Sequence, residues 1–136
     1  MNNFTNDGKV CIAELDYDGR VFTGKATCHW TDKDMFSEKT GYSIAEKRAM
    51  IKIIKDKKKL TKKILKEFES LYNNLKNAKD FNEHGFMERK MRRKMYELKD
   101  EIQSYQEAIV MFQAELTATI KAKDKIYKKI RKLRTK

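Results

Sequence analysis

At 136 residues the chain is long enough for one ordinary domain and too short for two independent cores. Charged residues make up 38% of it and proline is absent, a composition that favours long uninterrupted helices over loops or disordered linkers. The 32 Lys and Arg against 20 Asp and Glu give a net charge of +12, whose field concentrates phosphate-bearing partners such as nucleic acid, nucleotides or anionic membrane.

The first residues, Met1 to Asp7, have neither the apolar core nor the cleavage site of a signal peptide, and Cys11 and Cys28 are the only cysteines. A reducing cytosol is therefore expected. No apolar run approaches the roughly 20 residues of a membrane span, so a soluble protein without membrane contact is expected.

Residues 9 to 30 read as a β-hairpin, because Asp18-Gly19 supplies the positive φ angles of a two-residue turn. That turn sets Leu15 opposite Phe22, Ala13 opposite Gly24 and Cys11 opposite Ala26. The period of two then gathers Cys11, Ala13, Leu15, Phe22, Gly24, Ala26 and Cys28 on one face. Its small side chains suit close approach of a helix, a structural reason for Gly24 and Ala26 independent of any ligand.

A polar connection, Thr31 to Tyr42, leads to Ser43-Ile44-Ala45-Glu46, which has the form of a capping box and predicts a first long helix from Ile44. Met50, Ile54, Ile64, Phe68, Leu71, Leu75 and Ala78 fall on a coiled-coil seam that Lys57 and Thr61 interrupt. A break is predicted at Lys79 to Gly85, where Asn82 and Gly85 permit a left-handed helix end. A second helix then carries the seam Met91, Met95, Leu98, Ile102, Tyr105, Ile109, Phe112, Leu116, Thr119, Lys123, Ile126, Ile130 and Leu133, apolar or aromatic throughout except at Thr119 and Lys123.

Helices joined by so short a loop pack antiparallel, and at 1.5 Å per residue the second is about 70 Å long against about 50 Å for the first. With the turn centred near Asn82, residues beyond Lys121 are expected to overshoot the first helix toward the β-hairpin, where a concave site would form. The fold class is thus α+β, mostly α: an N-terminal β-hairpin unit over residues 1–43, packed on an antiparallel helical hairpin over 44–136 with its turn near 79–86. The two parts form one structural unit, and an exposed remainder of the seam would equally drive dimerisation.

No catalytic constellation is found, so no enzyme, cofactor or metal is expected. His29 and His84 lack the spacing of metal ligands, and the cysteines form no Cys-x-x-Cys pair. Both cysteines project from the expected core face, diagonal to each other, which argues for burial over catalysis and against a disulfide. Gly24 and Gly41 are isolated and form no phosphate-cradling loop. Carboxylates occur at spacings equally expected of surface pairs with Lys and Arg.

The basic clusters carry more. Lys55, Lys57, Lys58, Lys59, Lys62, Lys63 and Lys66 form a lysine-rich stretch, read first as a solvated face. Arg89, Arg92 and Arg93 lie beside Phe86 at a helix start, where guanidinium groups hold phosphate bidentately and the ring stacks on a base. Arg89 and Arg93 share a helix face, as do Arg131 and Arg134. This is chemistry for a phosphodiester flanked by purine rings, and it is equally the composition of a soluble Arg-rich helix.

The stretch Phe22-Thr23-Gly24-Lys25-Ala26-Thr27-Cys28-His29, followed by Ser37 to Ala49 with its Ile-Ala-x-x-Arg-Ala helix start, is similar to a small-protein pattern from phages and prophages of Firmicutes. The whole organisation, a β unit decorating an antiparallel coiled coil, resembles the phage anti-Thoeris sponge family, whose members sequester cyclic ADP-ribose signals and block host immune signalling. The resemblance implies a non-catalytic protein, at least dimeric, acting in the cytoplasm of an infected bacterium. Its pockets would lie between the β unit and helices of neighbouring subunits, with an aromatic ring stacked on adenine and arginines on the phosphates. Carried to this chain, it implies Phe86 for stacking, Arg89 and Arg93 for phosphate, Arg131 and Arg134 as a further clamp, and Arg48 as an additional candidate. The expected ligand is a cyclic ADP-ribose isomer or cyclic oligonucleotide, bound and not degraded. Two other readings stay open: a basic nucleic-acid-binding or anti-CRISPR-like inhibitor, and a structural coiled-coil adaptor.

Overall fold

The computed structural model of the chain describes residues 3–6, 10–27, 38–76 and 85–134. In chain order these form β1 (Asn3–Asn6), β2 (Val10–Tyr17), β3 (Arg20–Thr27), α1 (Glu38–Leu75) and α2 (Phe86–Arg134). The architecture is α+β and mostly helical, as expected. The turn expected at 79–86, together with Cys28, Ala78 and both histidines, lies outside the described residues except for Gly85 and Phe86. No described helix is long and apolar enough to cross a membrane. The chain divides into two compact units, Met1–Ile53 with Ile109–Lys136, and Ile54–Ala108.

In the first unit the hairpin closes as its turn residues dictate: Asp18 and Gly19 take φ of 52° and 74°, the pair of positive angles a right-twisted two-residue turn needs. The register follows, with Leu15 opposite Phe22, Ala13 opposite Gly24 and Cys11 opposite Ala26. Cys11, Ala13, Leu15 and Ala26 are buried on the face that period two assigns them. That face meets α1, where Ile44, Ala45, Ala49 and Ile51 are buried. Leu116 and Ile120 of α2 pack against the same core.

Close approach is why β3 carries glycine. A Cβ added at Gly24 would lie 1.9 Å from the Ala45 carbonyl oxygen and 2.6 Å from the Ala49 nitrogen, both α1 backbone atoms. β3 is also a sheet edge, and α1 covers it with cations: Arg48 donates to the Lys25 carbonyl at 2.6 Å and Lys52 to that of Thr23. Such ties blunt an edge that would otherwise pair with another strand.

Two features of this unit depart from the sequence-based expectations. The sheet has a third strand, β1, paired antiparallel with β2, whose Phe4 ring meets Tyr42 edge-on at 5.5 Å. α1 begins at Glu38 instead of Ile44, so Ser43 is not a cap; its hydroxyl accepts a hydrogen bond from Lys47 at 3.0 Å within the helix. Tyr42, packed against the core, holds the added turn in place. Because the sheet packs on α1 itself, at Ile44 and Ala45, and not beyond its end, the second helix meets the sheet core at Leu116 and Ile120, before the Lys121 boundary expected from the sequence.

In the second unit α1 and α2 run antiparallel, since positions falling along α1 meet positions rising along α2: Tyr72 bonds Glu88, and Lys58 bonds Gln106. The α2 seam from Met91 through Leu98 to Tyr105 is buried or half-buried where the heptads place it. On α1 the inward stripe is Ile54, Lys58, Thr61, Leu65, Phe68, Tyr72 and Leu75, whereas Ile64 and Leu71, expected in the seam, are exposed. Both stripes obey the three-and-four spacing and share Ile54, Thr61, Phe68 and Leu75, so periodicity by itself does not separate them.

A candidate anion-binding face at the start of the second helix

Gly85, with φ of +65°, turns the chain into α2, and its carbonyl accepts the first helical bond from Arg89 at 3.0 Å. The helix start leaves backbone N–H groups and the positive end of the helix dipole pointing outward. Phe86, Arg89, Lys90 and Arg93, at i, i+3, i+4 and i+7, share one face of the first two turns, and all four are exposed. The Phe86 ring is 61% accessible, and the Lys90 ammonium sits 5.4 Å from its centre. Arg89 folds back along the helix start, its Nη1 within 2.9 Å of where a Gly85 side chain would begin. Among the described residues no carboxylate forms a salt bridge with Arg89, Lys90 or Arg93.

Arg92 differs from its neighbours. Its Nη2 lies 2.6 Å from the Glu88 carboxylate, whose other oxygen accepts the Tyr72 hydroxyl at 2.7 Å. The Tyr72 hydrogen bond, then the Arg92 bond, holds the Glu88 carboxyl below its ordinary range, and the nearby Arg89 charge acts in the same sense. Conversely, donation to Glu88 pushes the Tyr72 hydroxyl up. The Tyr72–Glu88–Arg92 chain therefore fixes the first turn of α2 against α1 and neutralises one arginine.

A group whose folded pKa is depressed contributes stability above its unfolded pKa and loses it as pH falls through the folded value. Tyr72→Phe removes the largest cause of the depression. The Glu88 titration midpoint, followed by carbon-13 NMR, is expected to rise in that variant; an unmoved midpoint would show that the phenol does not hold the carboxylate in solution.

On the neighbouring flank, Phe68 of α1 with Met87, Lys90, Met91 and Lys94 of α2 lines an open depression of about 280 Å³. Its lining is thioether, aromatic ring and the apolar stems of Lys90 and Lys94, a surface that accepts a flat ring. Sequence reasoning missed Met87, Lys90 and Lys94 as a site. Their only signal was the spacing of four that pairs Met87 with Met91 and Lys90 with Lys94. That spacing acquires meaning only with Phe68 opposite.

The structure thus brings Phe86, Arg89 and Arg93 together. Arg48, Arg131 and Arg134 belong to the other unit. Arg48 is engaged with the Lys25 carbonyl, and the other two occupy the last turns of α2. In the lysine-rich stretch, Lys55, Lys59, Lys62 and Lys66 form an exposed stripe at spacings of four, three and four, while Lys58 turns inward to Gln106. Among the described residues no group of three or more His, Cys, Asp or Glu is placed to hold a metal ion. No family model matches the chain, and no curated protein or solved structure does so either.

Proposed function

We propose that this chain binds and sequesters a cyclic nucleotide signal, a cyclic ADP-ribose isomer or cyclic oligonucleotide, without degrading it, as a phage-type immune-evasion protein in the cytoplasm of an infected bacterium. The observation that carries this reading is the exposed face of Phe86, Arg89, Lys90 and Arg93 beside a ring-sized apolar depression. Arginines bond phosphate oxygens in pairs, and base stacking on an aromatic ring is worth about 1–3 kcal/mol. The role assigned is retention of the ligand, with no bond made or broken.

The test is a calorimetric titration with cyclic ADP-ribose isomers and cyclic oligonucleotides, followed by heating and recovery of the ligand. Saturable binding and intact recovered ligand are expected. Hydrolysed product after incubation with pure protein would end the sequestration reading.

The lysine stripe on α1 supports a second reading, a nucleic-acid-binding inhibitor. Counterion release then requires affinity for duplex DNA to fall with salt, with a log–log slope near −0.9 per phosphate contacted. Silence toward every small ligand, together with such a slope, would transfer the assignment to nucleic acid.

A further inference from the structure

The heptad seam of α2 runs on beyond Leu116 and Ile120, which pack against the sheet core. Phe112, Leu116, Thr119 and Lys123 are half-buried, yet Ile126 and Leu133, which continue the same spacing, are 56% and 72% accessible. Ala122, Ile126, Lys129 and Leu133, at spacings of four, three and four, therefore present an exposed stripe in the first unit. From Lys121 to Arg134 eight basic residues accompany one acidic residue. The stripe is an apolar seam bordered by cations.

The second unit carries a surface of opposite character. Glu97, Asp100, Ser104 and Glu107, at spacings of three, four and three, share one exposed face of α2. Tyr96, 73% accessible, borders it. Between Glu97 and Glu107 four carboxylates accompany one lysine, in a chain whose net charge is +12.

We infer that the basic stripe around Ile126 and Leu133 of one copy of this chain docks on the acidic stripe around Glu97 and Asp100 of a second copy. Heptad spacing on both surfaces suits helix-on-helix packing, in which residues flanking the seam select partners by charge. The exposed apolar residues of the basic stripe then meet Tyr96 while Lys125 and Lys129 face carboxylates. An anionic lipid surface satisfies the cations equally, but it leaves the acidic stripe without a role, and interfacial helices bury a broader apolar face than this seam. Neither surface includes Phe86, Arg89 or Arg93, but Glu97 lies one turn beyond Arg93 on the same face of α2, so self-association is read without added nucleotide.

Charge exchange tests it on the full chain. Sedimentation velocity is expected to show self-association of the natural sequence that weakens with added salt. Glu97→Lys with Asp100→Lys, and Lys125→Glu with Lys129→Glu, each reverse the sign of two contact positions on one of the surfaces. Each double variant alone is expected to lose self-association at least tenfold with unchanged helical circular dichroism, since all four residues are exposed. An equimolar mixture of the two restores complementary pairs and is expected to associate. A natural chain that stays monomeric, or a mixture that stays monomeric while each variant keeps its helicity, overturns the inference. So does association that neither variant disturbs, which would place the interface elsewhere, or a monomer whose C-terminal cations instead bind phosphatidylserine vesicles.

Discussion

Gly24→Val is expected to lower the unfolding free energy by about 3 kcal/mol, read as a shift in the midpoint of urea denaturation at unchanged slope. The first added carbon already falls within 1.9 Å of the Ala45 carbonyl oxygen and 2.6 Å of the Ala49 amide nitrogen. Both are main-chain atoms inside a helix, so neither moves aside as a side-chain tip would. Accommodating the side chain means lifting α1 off the sheet, which opens the contacts of Ala13, Ala26, Ile44 and Ala45 together. The added apolar surface of valine regains little, because no space is vacant for it. Gly19 provides the contrast: nothing lies within 4 Å of its missing side chain, but its φ of +74° makes any substitution there a matter of backbone strain in the turn. A stable, unshifted Gly24→Val protein would mean that α1 does not sit on β3 as described.

Replacing Arg89 and Arg93 together by alanine is expected to weaken cyclic nucleotide binding at least 100-fold in the same calorimetric titration. A hydrogen bond to a charged group contributes about 1.5–3 kcal/mol, and each 1.4 kcal/mol is tenfold in affinity. Both guanidinium groups are exposed, so their removal leaves folding nearly unchanged. Arg92→Ala is the informative comparison. Arg92 has the same charge one residue away, but it is bonded to Glu88 and turned toward Tyr72, so its loss is expected to cost far less affinity. Equal losses from all three arginines would mean that the ligand senses only net charge. That result would favour the nucleic-acid reading, in which the α1 lysine stripe contributes as much as the α2 face.

Several elements were legible in the sequence because short-range geometry dictates them. Asp18-Gly19 closes a two-residue turn, and once it closes, strand register has no remaining freedom; the pairing from Val10–Thr27 to Tyr17–Arg20 follows from the turn by counting. The α2 seam from Met91 to Lys123 was legible because nearly every position on that stripe is apolar or aromatic, whereas Tyr96, Val110, Met111 and Ile120 off it form no continuous rival register. The shared face of Phe86, Arg89 and Arg93 likewise follows from helical repeat.

What only the tertiary structure decided are the places where local signals are degenerate or weak. On α1, Ile64 and Leu71 are as apolar as Leu65 and Tyr72, and the choice fell to the stripe whose Lys58 and Tyr72 reach Gln106 and Glu88. An N-cap at Ser43 offers about 1 kcal/mol, less than a helical turn gains when it packs Tyr42 against Phe4 and the core. β1 has four residues, Asn-Phe-Thr-Asn, without alternation, and is a strand only because β2 offers it an edge. The depression between Phe68 and Met87 exists on neither helix separately. Turn chemistry and an unrivalled periodicity act within a few residues and survive in the sequence alone, whereas a choice between equal registers is made by the partner surface, which the chain acquires only on folding.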